Sequence, residues 1–283
     1  METHTLDAPG ARIAYDVRPA GDAAPLMLIG SPMSAGGFVS LAARFPDRTV
    51  VTYDPRGTER SPKADPGTET TPDEHAGDLH RVIEAVGGPV DLFATSGGAV
   101  NALALVARHP EDVRTLVAHE PPASQLIPDR EAALAACTDI RDTYLRAGYG
   151  PAMAKFIVLV QTTGPIPADF AASVNPDPAQ FGLPAADDGR RDDPLLFQNM
   201  VPCNHYEYDI AALRAAPARI VVAIGTESAD TLPHRGGQAV ADRLGTEPVV
   251  FPSHHAGFAG GEFGIQGDPD GFARALRDVL SAR

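Results

Sequence analysis

Ser96 stands in the run Phe93-Ala94-Thr95-Ser96-Gly97-Gly98, between an apolar stretch, Pro89 to Ala94, and a helix-like segment. Small residues two before and two after a serine, at a junction of strand and helix, allow the tight turn that lifts a hydroxyl above a sheet edge as a nucleophile. A serine hydroxyl is weakly nucleophilic at neutral pH, so it needs a base within hydrogen-bond reach and an acid that fixes the tautomer of that base. His255 is the candidate base. It lies in Phe251-Pro252-Ser253-His254-His255-Ala256-Gly257-Phe258, on a loop after a short apolar stretch, and Ala256 and Gly257 would let that loop approach the serine. His254 is its rival. Glu120 is the candidate acid because it ends the apolar stretch that follows the Ser96 helix and is held by Pro121 and Pro122; Glu227 and Asp230 are the alternatives. The backbone N–H of Gly97 would face a developing oxyanion. That of Ser31, in Leu28-Ile29-Gly30-Ser31-Pro32-Met33, would be the second donor, with Pro32 beside it as a substrate contact.

The elements that must position these residues alternate along the chain. Ala11–Val17, Leu26–Ile29, Thr49–Tyr53, Pro89–Ala94, Val113–His119, Arg219–Ile224 and Val249–Phe251 read as strands. Several are continuous apolar runs of the kind buried on both faces. Helical signals lie between them. Thr71-Pro72-Asp73-Glu74 combines a capping box with proline at the first helical position, leads to Ala85 and stops at Gly87-Gly88. Gly97–Arg108, Pro233–Leu244 and a last helix opened by Asp268-Pro269 complete the series. Strand–helix alternation predicts an α/β fold with a mostly parallel central sheet flanked by helices. From Ala123 to Ala216 the alternation lapses into helical stretches (129–147 and 151–161) and a Pro-, Gly- and Asp-rich section from Gly164 to Asp193. The expected division is therefore a core of residues 1–122 and 217–283 and a mainly helical cap, 123–216, over the C-terminal ends of the strands, where ligands bind in open α/β sheets.

With the serine, acid and histidine in that order, the chain resembles the α/β-hydrolase fold family over nearly its whole length. Tyr53-Asp54-Pro55-Arg56-Gly57-Thr58-Glu59-Arg60-Ser61 is similar to the family's Asp-x-Arg-Gly-x-Gly-x-Ser stretch, with Glu59 at the second glycine. Gly30-Ser31-Pro32 is similar to its His-Gly-x-Pro oxyanion loop, with Ile29 at the histidine. The family's usual acid position, after the strand that follows the cap, holds Ser228 in the run Gly225-Thr226-Glu227-Ser228. A glutamate acid at the position of Glu120 is similar to that of fungal zearalenone lactone hydrolases and some haloalkane dehalogenases; Ser96 in place of an aspartate nucleophile and the absence of Trp set dehalogenation aside. The resemblance implies acyl transfer from an ester or lactone to water, with no cofactor and no metal. Carbon–carbon bond hydrolysis, perhydrolysis and ligand reception are the alternatives, since fold does not decide among them.

Within the cap, Phe156, Ile157, Leu159, Val160, Phe170 and Phe181 are candidates for an apolar pocket or for plain cap core, and His205 and Tyr206 for substrate contacts. Composition narrows the partners. The 283 residues carry a net charge near −14 with no run of Lys or Arg, which argues against nucleic acid and anionic membrane. No stretch approaches the roughly 20 apolar residues of a membrane span, and Met1–Gly10 lacks a signal pattern, so a cytoplasmic protein is expected. Cys137 and Cys203 are too few for a disulfide framework and are expected as reduced, partly buried thiols.

Overall fold

The computed structural model describes residues 1–282. Its centre is a mixed eight-stranded sheet: β1 (Glu2–Ala8), β2 (Ala11–Arg18), β3 (Leu26–Ile29), β4 (Val50–Tyr53), β5 (Val90–Thr95), β6 (Val113–His119), β7 (Arg219–Gly225) and β8 (Val249–Phe251). The spatial order is β1-β2-β4-β3-β5-β6-β7-β8, antiparallel at β1–β2 and β2–β4 and parallel from there on. This is the α/β-hydrolase fold that the alternation implied.

Period-two alternation explains how four-residue strands hold the centre. In β3, Leu26 and Leu28 face one apolar cluster with Phe93, Phe251 and Phe272, while Met27 and Ile29 face another with Leu79, Leu103 and Val240. Helices cover both faces: α1 (Val39–Ala43), α2 (Pro72–Val86), α3 (Gly97–Arg108), α9 (Leu232–Leu244) and α10 (Pro269–Ser281). α2 begins as its sequence predicts: Thr71 Oγ1 accepts from Glu74 N–H, the Glu74 carboxylate accepts from Thr71 N–H, and Gly87 ends the helix at φ 78°. β1 was not foreseen. Its sequence Glu-Thr-His-Thr-Leu-Asp-Ala is mostly exposed, so no buried face reveals the strand, and it forms only as a hairpin partner of β2.

Between β6 and β7 the chain forms α4 (Arg130–Ala147), α5 (Tyr149–Gln161), α6 (Phe170–Ser173), a π-helical turn (Pro194–Asn199), α7 (Met200–Asn204) and α8 (Ile210–Ala215). The first five share a buried cluster that includes Ile140, Tyr144, Leu159, Phe170, Leu196 and Met200. Among the described residues no helix is long and apolar enough to cross a membrane.

Candidate active site

Ser96 sits between β5 and α3 at φ 55° and ψ −130°. A positive φ is strained for any residue with a Cβ, and such strain persists only where the surroundings enforce it. Here they do. The Ser96 N–H donates to the His119 carbonyl at 3.0 Å, and α3 starts hard against the loop after β3. A Cβ on Gly98 would lie 2.8 Å from the Gly30 Cα and carbonyl carbon, and one on Gly97 would lie 2.6 Å from the Ser31 oxygen. Two bare glycines thus let the start of α3 touch the 30–32 loop, which sets the Ser31 and Gly97 backbones beside Ser96. The 54–61 run anchors that loop: Asp54 Oδ1 accepts from Ala35 N–H at 3.0 Å, Asp54 Oδ2 accepts from Arg60 Nε at 2.6 Å, and Ser61 Oγ donates to the Asp54 carbonyl at 2.7 Å.

Glu120 follows β6 directly, with φ 46°, and is fully buried. Its Oε1 accepts from Gly225 N–H at 2.8 Å and from the Ser228 hydroxyl; its Oε2 accepts from His255 Nδ1 at 2.6 Å. Burial alone would raise this carboxyl's pKa, but the His255 hydrogen bond, the two nearby imidazoles and the Ser228 hydroxyl outweigh it and hold the pKa at about 2. Glu227 and Asp230 are exposed and make no bond to a histidine among the described residues. His254 turns away, its Nε2 meeting the Gln266 carbonyl at 3.0 Å. His255 is left with its Nε2 edge unpaired and lines the same cavity as Ser96. No hydrogen bond joins Ser96 Oγ to His255 among the described residues, a separation common when no substrate is bound.

His119 is a feature that residue-by-residue reading missed. It is fully buried among the rings of Phe93, Phe251 and Phe272, 6.0 Å from the His255 ring, with Nδ1 3.0 Å from Thr95 Oγ1 and Nε2 without a partner. Burial lowers its pKa to about 3, so it stays neutral beneath the pair. Its one sequence signal is adjacency to Glu120. Ser228 was noted as the occupant of an acid position, and the structure gives it a different part, hydrogen-bonding the glutamate that comes from the other strand.

The cavity over Ser96 measures about 540 Å³. Ser31, Pro32, Gly97 and His255 form its floor; Phe156, Leu159, Val160, Leu195 and Met200 form much of its apolar wall. Ile157, Phe170 and Phe181 lie outside it, Phe170 within the cap cluster. The expected contacts His205 and Tyr206 also lie outside it. His205 Nε2 is 3.5 Å from Thr138 Oγ1, while Tyr206 packs on Tyr208 and donates to Asp73 Oδ1 at 3.2 Å, because the chain turns after α7 and carries both rings away from the cavity. Asn204 lines it instead, with Asn199. Asn199 Oδ1 meets His75 Nε2 at 2.6 Å, and Asn199 Nδ2 donates to the Pro194 carbonyl across the π-helical turn at 2.6 Å. Cys137 and Cys203 are free thiols on the same wall, pushed up to about 12 by burial.

Comparison with known proteins places this geometry. The family model described as alpha/beta hydrolase fold matches residues 26–200. An uncharacterized hydrolase of Bacillus subtilis (strain 168), YraK, is 30% identical over 262 residues, covering 90% of this chain and 89% of the relative. A thermophilic esterase from Thermogutta terrifontis superposes with a TM-score of 0.66 at 18% identity, over 99% of this chain and 98% of that one. A hydrolase from Pseudomonas aeruginosa PA01 superposes with a TM-score of 0.67 at 19% identity, again over 99% and 98%. At such identities the two structures speak for the fold alone.

Proposed function

The chain belongs to the α/β-hydrolase fold family, and from that premise we propose that it hydrolyses a carboxylic ester or lactone through an acyl-enzyme. Ser96 Oγ attacks the carbonyl carbon while His255 Nε2 takes its proton. Glu120 holds the Nδ1 proton of His255, which fixes the tautomer and stabilises the imidazolium. The tetrahedral oxyanion is received by the N–H groups of Ser31 and Gly97. His255 then gives its proton to the leaving alkoxide; a water, deprotonated by the same nitrogen, cleaves the acyl-enzyme and regenerates Ser96.

The observation that carries this reading is the pairing of a strained serine on a cavity floor with a histidine whose far nitrogen is held at 2.6 Å by a fully buried carboxylate. A buried charge is costly unless paired, and here its second oxygen is also satisfied by two donors. Among the described residues no Lys or Arg lines the cavity, and the exposed Glu227 stands at its rim, which favours an uncharged, largely apolar acyl group over an anionic one. The test is a fluorophosphonate probe with peptide mass spectrometry, beside turnover of p-nitrophenyl acetate, butyrate and octanoate. Labelling at Ser96, with turnover abolished in Ser96→Ala, is the expected result. Lasting labelling without turnover would favour a ligand receptor, and neither labelling nor turnover would refute the assignment.

A further inference from the structure

On the opposite edge of the sheet, three elements bring two imidazoles and a carboxylate together. His80 projects from α2, His109 closes α3, and Asp112 lies just before β6. His80 Nδ1 is 2.7 Å from Asp112 Oδ2, and its Nε2 faces Glu84 Oε2, one turn on along α2, at 3.6 Å. The His109 ring lies almost parallel to that of His80, with centroids 3.9 Å apart and planes at 14°, and its nitrogens hydrogen-bond to nothing among the described residues. One donor atom from each of His80, His109 and Asp112 lies within 4.8 Å of the other two.

We propose that His80, His109 and Asp112 form a binding site for a divalent transition-metal cation, zinc by the nature of its donors. Two imidazoles and a carboxylate suit zinc, whose bonds to such ligands run about 2.0–2.2 Å, which sets donors around a tetrahedral ion about 3.3 Å apart. The ion takes the place of the proton between His80 Nδ1 and Asp112 Oδ2, and those atoms need to part by only about half an ångström. Glu84 then accepts the Nε2 proton of His80, the outer carboxylate that orients a metal-bound histidine. The backbone is already set. His109 N–H donates to Leu105 O at 2.7 Å, Asp112 N–H to His109 O at 3.1 Å, and Val90 N–H to Asp112 O at 2.9 Å, so only side-chain rotations remain. Neutral imidazoles beside two carboxylates also leave the cluster with a net negative charge for a cation to neutralise.

Asp112 opens β6 and Glu120 follows its end, so at about 3.3 Å per residue the two sites stand more than 20 Å apart. The cation therefore acts on stability, tying α2 to the α3–β6 turn, and leaves the chemistry at Ser96 alone. Calorimetric titration of the chelator-stripped full chain with zinc, followed by thermal melts, tests this. Wild type should take up one equivalent and melt higher; His80→Gln, His109→Gln and Asp112→Asn should each bind at least about tenfold more weakly, with p-nitrophenyl butyrate turnover unchanged. No uptake at high micromolar zinc, or equal uptake by the His80→Gln/His109→Gln double variant, would overturn the proposal. So would loss of turnover on addition of one equivalent, since that would put the ion on His255 and Glu120.

Discussion

Replacing Glu120 by Gln separates the charge of the acid from its shape, and the hydrogen bonds determine which way the amide must point. The Oε1 position faces Gly225 N–H at 2.8 Å, a group that can only donate, so the amide oxygen has to stay there. The NH₂ is thereby turned to His255 Nδ1, now 2.6 Å from an acceptor oxygen. Nδ1 must then present its lone pair and the ring proton moves to Nε2, the atom that should receive the proton of Ser96. A base in the wrong tautomer, without its stabilising carboxylate, loses on the order of 10⁴ in kcat, or roughly 5 kcal/mol of transition-state stabilisation. The assay is steady-state hydrolysis of p-nitrophenyl butyrate, with circular dichroism to confirm that the fold survives. Activity within tenfold of wild type for Glu120→Gln would refute the reasoning, above all if Glu227→Gln or Asp230→Asn proved to be the disabling change.

Three further outcomes are expected. Ser228 Oγ already touches the Glu120 carboxylate, so adding Ser228→Asp to Glu120→Ala should restore turnover by roughly tenfold or more over Glu120→Ala alone, measured with the same ester; no recovery would mean that a carboxylate from β7 cannot reach His255. Ser96→Gly relieves the positive φ that Ser96→Ala retains, so the glycine variant should be about 1 kcal/mol the more stable in chemical denaturation, and an equal or lower stability would argue against strain at this turn. His119 has a folded-state pKa depressed from 6.5 to about 3, so its contribution to stability is present above pH 6.5 and is lost as pH falls towards 3, roughly 5 kcal/mol over that span. Urea denaturation between pH 7 and 4 should therefore show a shallower loss of stability in His119→Gln than in wild type, and an unchanged slope would count against a neutral buried histidine.

What could be read from residues alone follows a physical divide. β3, β4 and β5 were legible because both faces are buried and their sequences are continuously apolar, and α2 because its cap is written in side chains. Ser96 and Glu120 were legible as candidates because each falls at the end of such a strand, where backbone direction alone sends a residue to the ligand edge. β1 was not legible, since its stability comes from pairing and not from its own pattern. Nor could His205 and Tyr206 be excluded: nearness to Asn204 in sequence says nothing about which side of a turn faces the cavity. The burial of His119 and the stacking of His80 on His109 depend on contacts made across elements, which no local window contains.

The π-helical turn at Pro194–Asn199 bears on how this cavity could change over generations. A π turn holds one residue more than an α turn, and here the surplus residue sets the rotational phase of everything after it. Deleting a single residue there would relax the turn to α geometry and swing Met200, Cys203 and Asn204 about 100° around the axis, replacing much of one wall at a stroke. Point substitutions alter only the lining of a room whose plan stays fixed. The length of this short segment is thus a heritable dial, and gain or loss of a codon within it is the mutational step by which descendants of this chain could move abruptly from one substrate shape to another.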